Sequence, residues 1–323
     1  MGNVLGFLLI VMSLLLPEPT IAGTGTSYEL NRWASKGETH WRHDSGGADY
    51  GVPSSELDYR DVDSDITEFI VRTPLSGSLA IRATFGLGSI GSGTLVDDDY
   101  LSASGASKYG ATQSGEHRFS RTYSEIEGDG LFYIKGELVP MNLVLDSSFG
   151  RFRFNLSAQY WQEEYHATGL ETVECTASSL CSPVGSSGYQ GISVISNTVT
   201  WTGVGITMEG VTALSNRWTL LIDATYYPLM DLVNDDIHHQ RSDLAKNPSA
   251  RMTGKGNGYD LMAVLRVQLT HQLSAHLGYR RWERWVENQT LTSYLSDGSS
   301  STARLMDLST HRDGLVAGLA WLF

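Results

Sequence analysis

The sequence has little that would carry it across a bilayer as a helix. Beyond an N-terminal run from Leu5 to Leu16, none of its 323 residues lies in a stretch approaching the roughly 18 apolar residues a membrane helix needs. Basic residues are scarce too. The 23 Lys and Arg stand against 36 Asp and Glu, and the formal net charge of −13 excludes a basic nucleic-acid-binding face and favours cationic partners. There is no serine elbow, P-loop or zinc-binding helix motif, and no internal repeat of about 20–50 residues. Only two cysteines occur, Cys175 and Cys181, close together in a Ser/Thr/Gly-rich segment. In an exported protein a disulfide across that short loop is the expected reading.

The N-terminus points to export. Pro17 and Pro19 end the apolar run, and Thr20-Ile21-Ala22 offers a small-residue cleavage site, although no Lys or Arg precedes the run. Residues 1–22 therefore read as a secretory signal peptide and 23–323 as the mature chain.

The strongest positive signal is alternation with period two. Phe152, Phe154, Leu156, Ala158 and Tyr160 are separated by Arg153, Asn155, Ser157 and Gln159. A half-buried strand has this pattern, since successive side chains leave opposite faces. It recurs at Leu79–Leu87, Trp218–Tyr226, Leu261–Leu269 and Leu315–Phe323. Charged residues such as Arg153, Arg217, Asp223 and Arg266 fall mid-strand on the polar face, where a watery lumen would hold them. Tyr160, Trp161, Tyr226, Tyr227, Trp282, Trp285 and Trp321 fall near strand ends, as interface girdles do. These features favour an all-β, transmembrane antiparallel β-barrel over a soluble sandwich. About ten strands are expected: 28–43, 55–73, 78–98, 117–138, 149–167, 188–213, 216–236, 256–271, 273–291 and 303–323. Short connections alternate with long polar ones, as in barrels with tight periplasmic turns and long extracellular loops. A monomer is expected, because a barrel closes its own edges.

Two acidic clusters could carry chemistry. Val96-Asp97-Asp98-Asp99-Tyr100 ends the third strand, and Asn234-Asp235-Asp236-Ile237-His238-His239 ends the seventh. Residues i and i+2 of a strand share a face, so Asp97 pairs with Asp99 and Asp236 with His238. A His oriented by a carboxylate can take a proton from water, and two crowded carboxylates can hold one proton between them. Solvated acidic loops and hard-cation sites use the same residue types.

At these residues the sequence resembles the omptin family of outer-membrane endopeptidases. Leu57-Asp58-Tyr59-Arg60 is similar to the family's Leu-Asp-Trp-Lys segment, and Gly91-Ser92-Gly93-Thr94-Leu95-Val96-Asp97-Asp98-Asp99-Tyr100 to its Val-Asp-x-Asp-Trp approach. Asp236-Ile237-His238 falls on its Asp-x-His motif. Gly188–Ile206 and the terminal Gly314–Phe323 also run in parallel, so the resemblance spans the mature chain at low identity. It implies a ten-stranded barrel with an extracellular groove and an aspartic-type endopeptidase. Asp97 and Asp99 become the paired carboxylates, His238 the general base and Asp236 its orienting partner. Family substrates carry basic residues at the cut, held by acidic pocket residues. Asn234 stands at one such position, and Glu38 is the nearest acid to the other. The family also binds lipopolysaccharide as an activator through basic outer-wall side chains, and near Tyr160 this chain has Glu164. No cofactor or metal is implied. Two other functions suit such a barrel: an adhesin or invasin binding host or matrix protein through its loops, and a narrow diffusion channel.

Overall fold

The computed structural model describes residues 25–323, so the expected signal peptide lies outside the described residues. The described residues form twelve strands: β1 (Ser27–Asp44), β2 (Tyr50–Ser76), β3 (Leu79–Ile90), β4 (Ser92–Leu101), β5 (His117–Pro140), β6 (Val144–Ser147), β7 (Gly150–Cys175), β8 (Ser187–Ala213), β9 (Trp218–His238), β10 (Ala250–Gln268), β11 (Leu273–Tyr294) and β12 (Ser300–Leu322). One short helix, α1 (Ala103–Lys108), follows β4. β3 and β4 lie end to end between β2 and β5, broken at Gly91, whose N–H bonds to the Asp63 carbonyl (2.7 Å). β6 is a spur on β7. The remainder closes as an antiparallel ring of ten staves, sealed where β1 pairs with β12 from Ser27↔Leu322 to Asp44↔Arg304.

The alternation read from the sequence sets the wall. Leu87, Leu156, Leu277 and Leu315 are about 60% exposed (62%, 61%, 59% and 59%) although they are large and apolar. Together with Phe69, Ile222 and Leu261 they form an outward apolar belt around the turn end of the barrel, the surface a transmembrane barrel gives to lipid. β7 has 26 residues and β8 has 27, far beyond the roughly 9–11 needed to span hydrocarbon. The excess stands beyond the belt at the loop end. Pairing there continues through segments whose Gly/Ser-rich composition reads as loop: β11 and β12 stay paired up to Tyr294↔Ser300, and β10 begins at Ala250 rather than at residue 256. Arg217, expected mid-strand, lies instead in the turn between β8 and β9, where its backbone N–H bonds to Ser215.

The lumen is filled in layers. Near the turn end Arg82 bridges Glu137 (2.6 Å), Glu209 (2.5 Å) and Asp223, and Lys135 also reaches Glu137 (2.8 Å). Above them Arg280 joins Asp260 (2.6 Å) and Glu68 while lying 4.5 Å from the Trp33 ring. Higher still Arg312 makes two 2.8 Å bonds to Glu163, both side chains fully buried. Such pairs fix geometry more than they add stability, because desolvation offsets most of the attraction. Gly86 exists to admit this filling: a Cβ there would lie 1.9 Å from the Tyr133 ring.

The aromatic girdle needs correction. Trp161, Tyr227 and Trp282 are buried inside the barrel (2%, 0% and 1% exposed), not in an outer girdle. Trp161 and Tyr227 directly follow Tyr160 and Tyr226, and Trp282 lies three residues from Tyr279 and Trp285; an odd spacing sends the two aromatics to opposite faces. There they stack: Tyr133 on Trp161 and Trp161 against Trp282, each at 4.5 Å.

A candidate active site at the loop end

Above the packed lumen the barrel opens into a crevice of about 270 Å³. β4 forms one wall, and the upper ends of β9 and β10 form the other. Asp99 lies opposite Ser55 of β2 and Asp97 opposite Leu57. Alternation turns both carboxylates inward, while Asp98 turns out onto Arg121 through two 2.6 Å bonds. On the far wall Asp236 and His238 face in. His238 lines the crevice, and its Nε2 is 2.9 Å from Asp236 Oδ2, which leaves Nδ1 as the nitrogen not held by that carboxylate. The backbone N–H of His238 bonds to Ser249 Oγ (3.0 Å), anchoring the strand end. His239 points the other way and contacts Ser196 Oγ at 2.7 Å. The floor is apolar: Trp41, Leu57, Met252 and Leu291 are each no more than 4% exposed.

The two walls feel each other. Burial, then the charge of Asp99, pushes the Asp97 carboxyl up to about 8, against the opposing pull of His238. Burial also lifts Asp99 to about 6, restrained by a hydrogen bond from Ser55 and by Arg241. Burial alone would lower His238, but the charge and hydrogen bond of Asp236, with help from Asp97, hold it above its ordinary value. Tyr59, buried in the floor, is raised by burial first and then by both Asp236 and Asp97. A proton shared between two carboxylates opposite a His–Asp pair is an acid–base arrangement suited to activating water.

Not every expected residue joins this group. Asn234 faces in directly below Asp236, fully buried, its amide N–H toward Met252 Sδ (3.3 Å). Glu38 does not: it leaves the outer face of β1 half exposed, with His311 Nε2 3.9 Å away. Within the belt polar side chains turn inward. Beyond the belt water lies outside and the interior is packed, so the polar face turns outward; Trp41 and His43 take the inward positions of β1. Cys175 and Cys181 are joined as a disulfide at the end of β7. Two further residues lining the crevice escaped the sequence reading. His43 is half-buried, its buried Nδ1 making no hydrogen bond among the described residues, and its ring is held below its ordinary value by burial first. Arg241, on the β9–β10 connection and bonded to Asp243 (2.7 and 2.9 Å), overhangs Asp99. His43 was legible from the alternation of β1, but nothing in the sequence marks Arg241.

The fold is that of an outer-membrane β-barrel. Among solved structures it is similar to the outer membrane protease OmpT from Escherichia coli, at 13% identity and a TM-score of 0.71, covering 94% of this chain and 99% of that one. It also matches the translocator domain of the autotransporter NalP from Neisseria meningitidis, at 11% identity and a TM-score of 0.38 over 100% of this chain and 96% of that one. No family model matches the sequence, and no curated protein matches it.

Proposed function

We propose that the chain is an outer-membrane endopeptidase whose crevice opens on the extracellular side. The observation that carries this reading is the facing of Asp97 and Asp99 by a hydrogen-bonded Asp236–His238 pair across an apolar-floored crevice. The fold shared with OmpT supports it. A polypeptide laid across the crevice presents its carbonyl between the walls. Water held near Asp97 and His238 Nδ1 attacks the carbonyl carbon as His238 takes its proton. The Asp97–Asp99 pair, holding one proton, donates a hydrogen bond to the developing oxyanion. Collapse breaks the C–N bond, and His238 returns the proton to the leaving amine. Asp236 keeps the imidazole oriented and favours its protonated form. No covalent acyl intermediate, metal or cofactor enters the scheme. Lipopolysaccharide remains a candidate activator of this reading, although Glu164 lies in an outer-wall ladder with Gln162 (2.7 Å), where a phosphate would prefer a base.

The test is cleavage of a mixed peptide library by refolded protein in detergent, with and without lipopolysaccharide, beside Asp97→Ala and His238→Ala. Removal of the general base should cost about 10²–10⁴-fold in rate. A well-folded barrel that cuts nothing under either condition would move the reading to an adhesin binding through its loops.

A further inference from the structure

We infer that the crevice selects an uncharged, apolar side chain beside the scissile bond; this rests on the endopeptidase reading and names its substrate class. Five side chains form the floor and lower walls between the two acid–base pairs: Trp41, Leu57, Ala250, Met252 and Leu291. All are buried, Trp41 and Met252 to 1% exposure. Trp41 is braced by Tyr59 (5.5 Å between stacked rings) and backs the crevice as a rigid apolar base.

Charge points the same way. Among the described residues the inward carboxylates of the crevice are Asp97, Asp99 and Asp236, and all three belong to the reacting group. Beneath Asp236 the next inward position is Asn234, whose amide brings no countercharge; its N–H is on Met252 Sδ and its Oδ1 is buried without a hydrogen-bond partner among the described residues. Glu38 leaves the outer wall of β1, Asp44 beside His43 is engaged by the Gly46 N–H (2.8 Å) and Arg304 (3.9 Å), and Asp235 turns out onto Arg251 (2.6 and 2.7 Å). At the rim Arg241, though paired with Asp243, lines the crevice beside Asp99 and turns its guanidinium toward that carboxylate's field. A lysine or arginine entering this space would lose its hydration without gaining a dedicated carboxylate, and would compete with His238 for Asp236. A leucine, methionine or phenylalanine would lose only apolar surface to water.

The experiment uses the full mature chain refolded in detergent and a peptide series differing at one residue beside the cut: Leu, Met, Phe, Gln, Glu, Lys and Arg. Cut positions are read by mass spectrometry and rates as kcat/KM. The expected result is that Leu, Met or Phe exceeds Lys and Arg by at least about 30-fold. Two variants turn the preference: Trp41→Glu and Asn234→Asp each put a carboxylate at or under the floor, and each should raise the Lys/Arg to Leu ratio at least about 10-fold. Met252→Ala, which adds no buried charge, should instead shift preference from Leu toward Phe. Fastest cutting at Lys or Arg by the unaltered chain overturns this inference while leaving the endopeptidase reading intact. Folded carboxylate variants with an unchanged ratio count against it as well. Absence of any cut by folded protein removes the endopeptidase reading, and this inference with it.

Discussion

Asp97→Asn should stabilise the protein while disabling it, and the gain should depend on pH. The wild-type carboxyl, ordinarily near 3.8, is held up at about 8 by burial and by Asp99. Its folded value therefore lies above its unfolded value. The sign follows: its contribution to stability is fully present below pH 3.8 and is lost as pH rises toward 8. At pH 7 the folded chain must keep a proton that the unfolded chain releases, at about 1.4 kcal/mol per pH unit above 3.8, or roughly 4 kcal/mol in all. Asparagine has nearly the same shape and no proton to keep. Variant and wild type should differ by a constant offset at pH 4, and the variant should gain steadily up to pH 8. The assay is urea or thermal unfolding in detergent micelles at a series of pH values, read by the heat-modifiable gel shift of folded barrel. A difference that stays flat from pH 4 to pH 8, or a wild type that gains on the variant, refutes the reasoning.

The rate itself should follow a bell. His238 must be unprotonated to act as base and is held above its ordinary value, so the acid limb of kcat/KM should have its midpoint above pH 6.5. Loss of the shared carboxyl proton should bring the alkaline limb near pH 8, and a rate that climbs without turning through pH 9.5 would remove the proton-holding role of the pair. Arg82→Met removes the cation shared by Glu137, Glu209 and Asp223, leaving them to Lys135 and Arg72, and should cost about 3 kcal/mol, seen as a lowered temperature for loss of the folded gel band. Replacing Cys175 and Cys181 by serine opens a loop of sequence separation 6 and should cost roughly 2 kcal/mol, confined to the loop end. Hydrogen exchange should rise around Leu101, Phe119 and Ala177, which pack together beside the bridge, and unchanged exchange there would contradict that confinement.

The belt was readable because lipid and a charged lumen impose opposite demands on the two faces of each strand. Phe154, Leu156 and Ala158 against Asn155, Ser157 and Gln159 could hardly be arranged otherwise. Asp97 with Asp99 and Asp236 with His238 were legible for the same reason, since spacing by two fixes a shared face. Three things were hidden. The upper strand ends carry no membrane signal, so backbone pairing such as Tyr294↔Ser300 continues under a sequence that reads as loop. Beyond the belt the meaning of the polar face inverts, which is why Glu38 was sought inside and Trp41 was not. Arg241 comes to the crevice along an irregular connection, where no periodicity relates position to direction.

The layered filling of the lumen has a consequence for where the site exchanges matter. From Arg82 through Arg280 to Arg312 the interior is occupied by paired charges and stacked rings, while the crevice opens above them. The direct route to water for protons given up by Asp97 and His238 is the crevice at the loop end. The acid–base group therefore meets bulk water on the loop side, and its titration should follow the medium its loops meet.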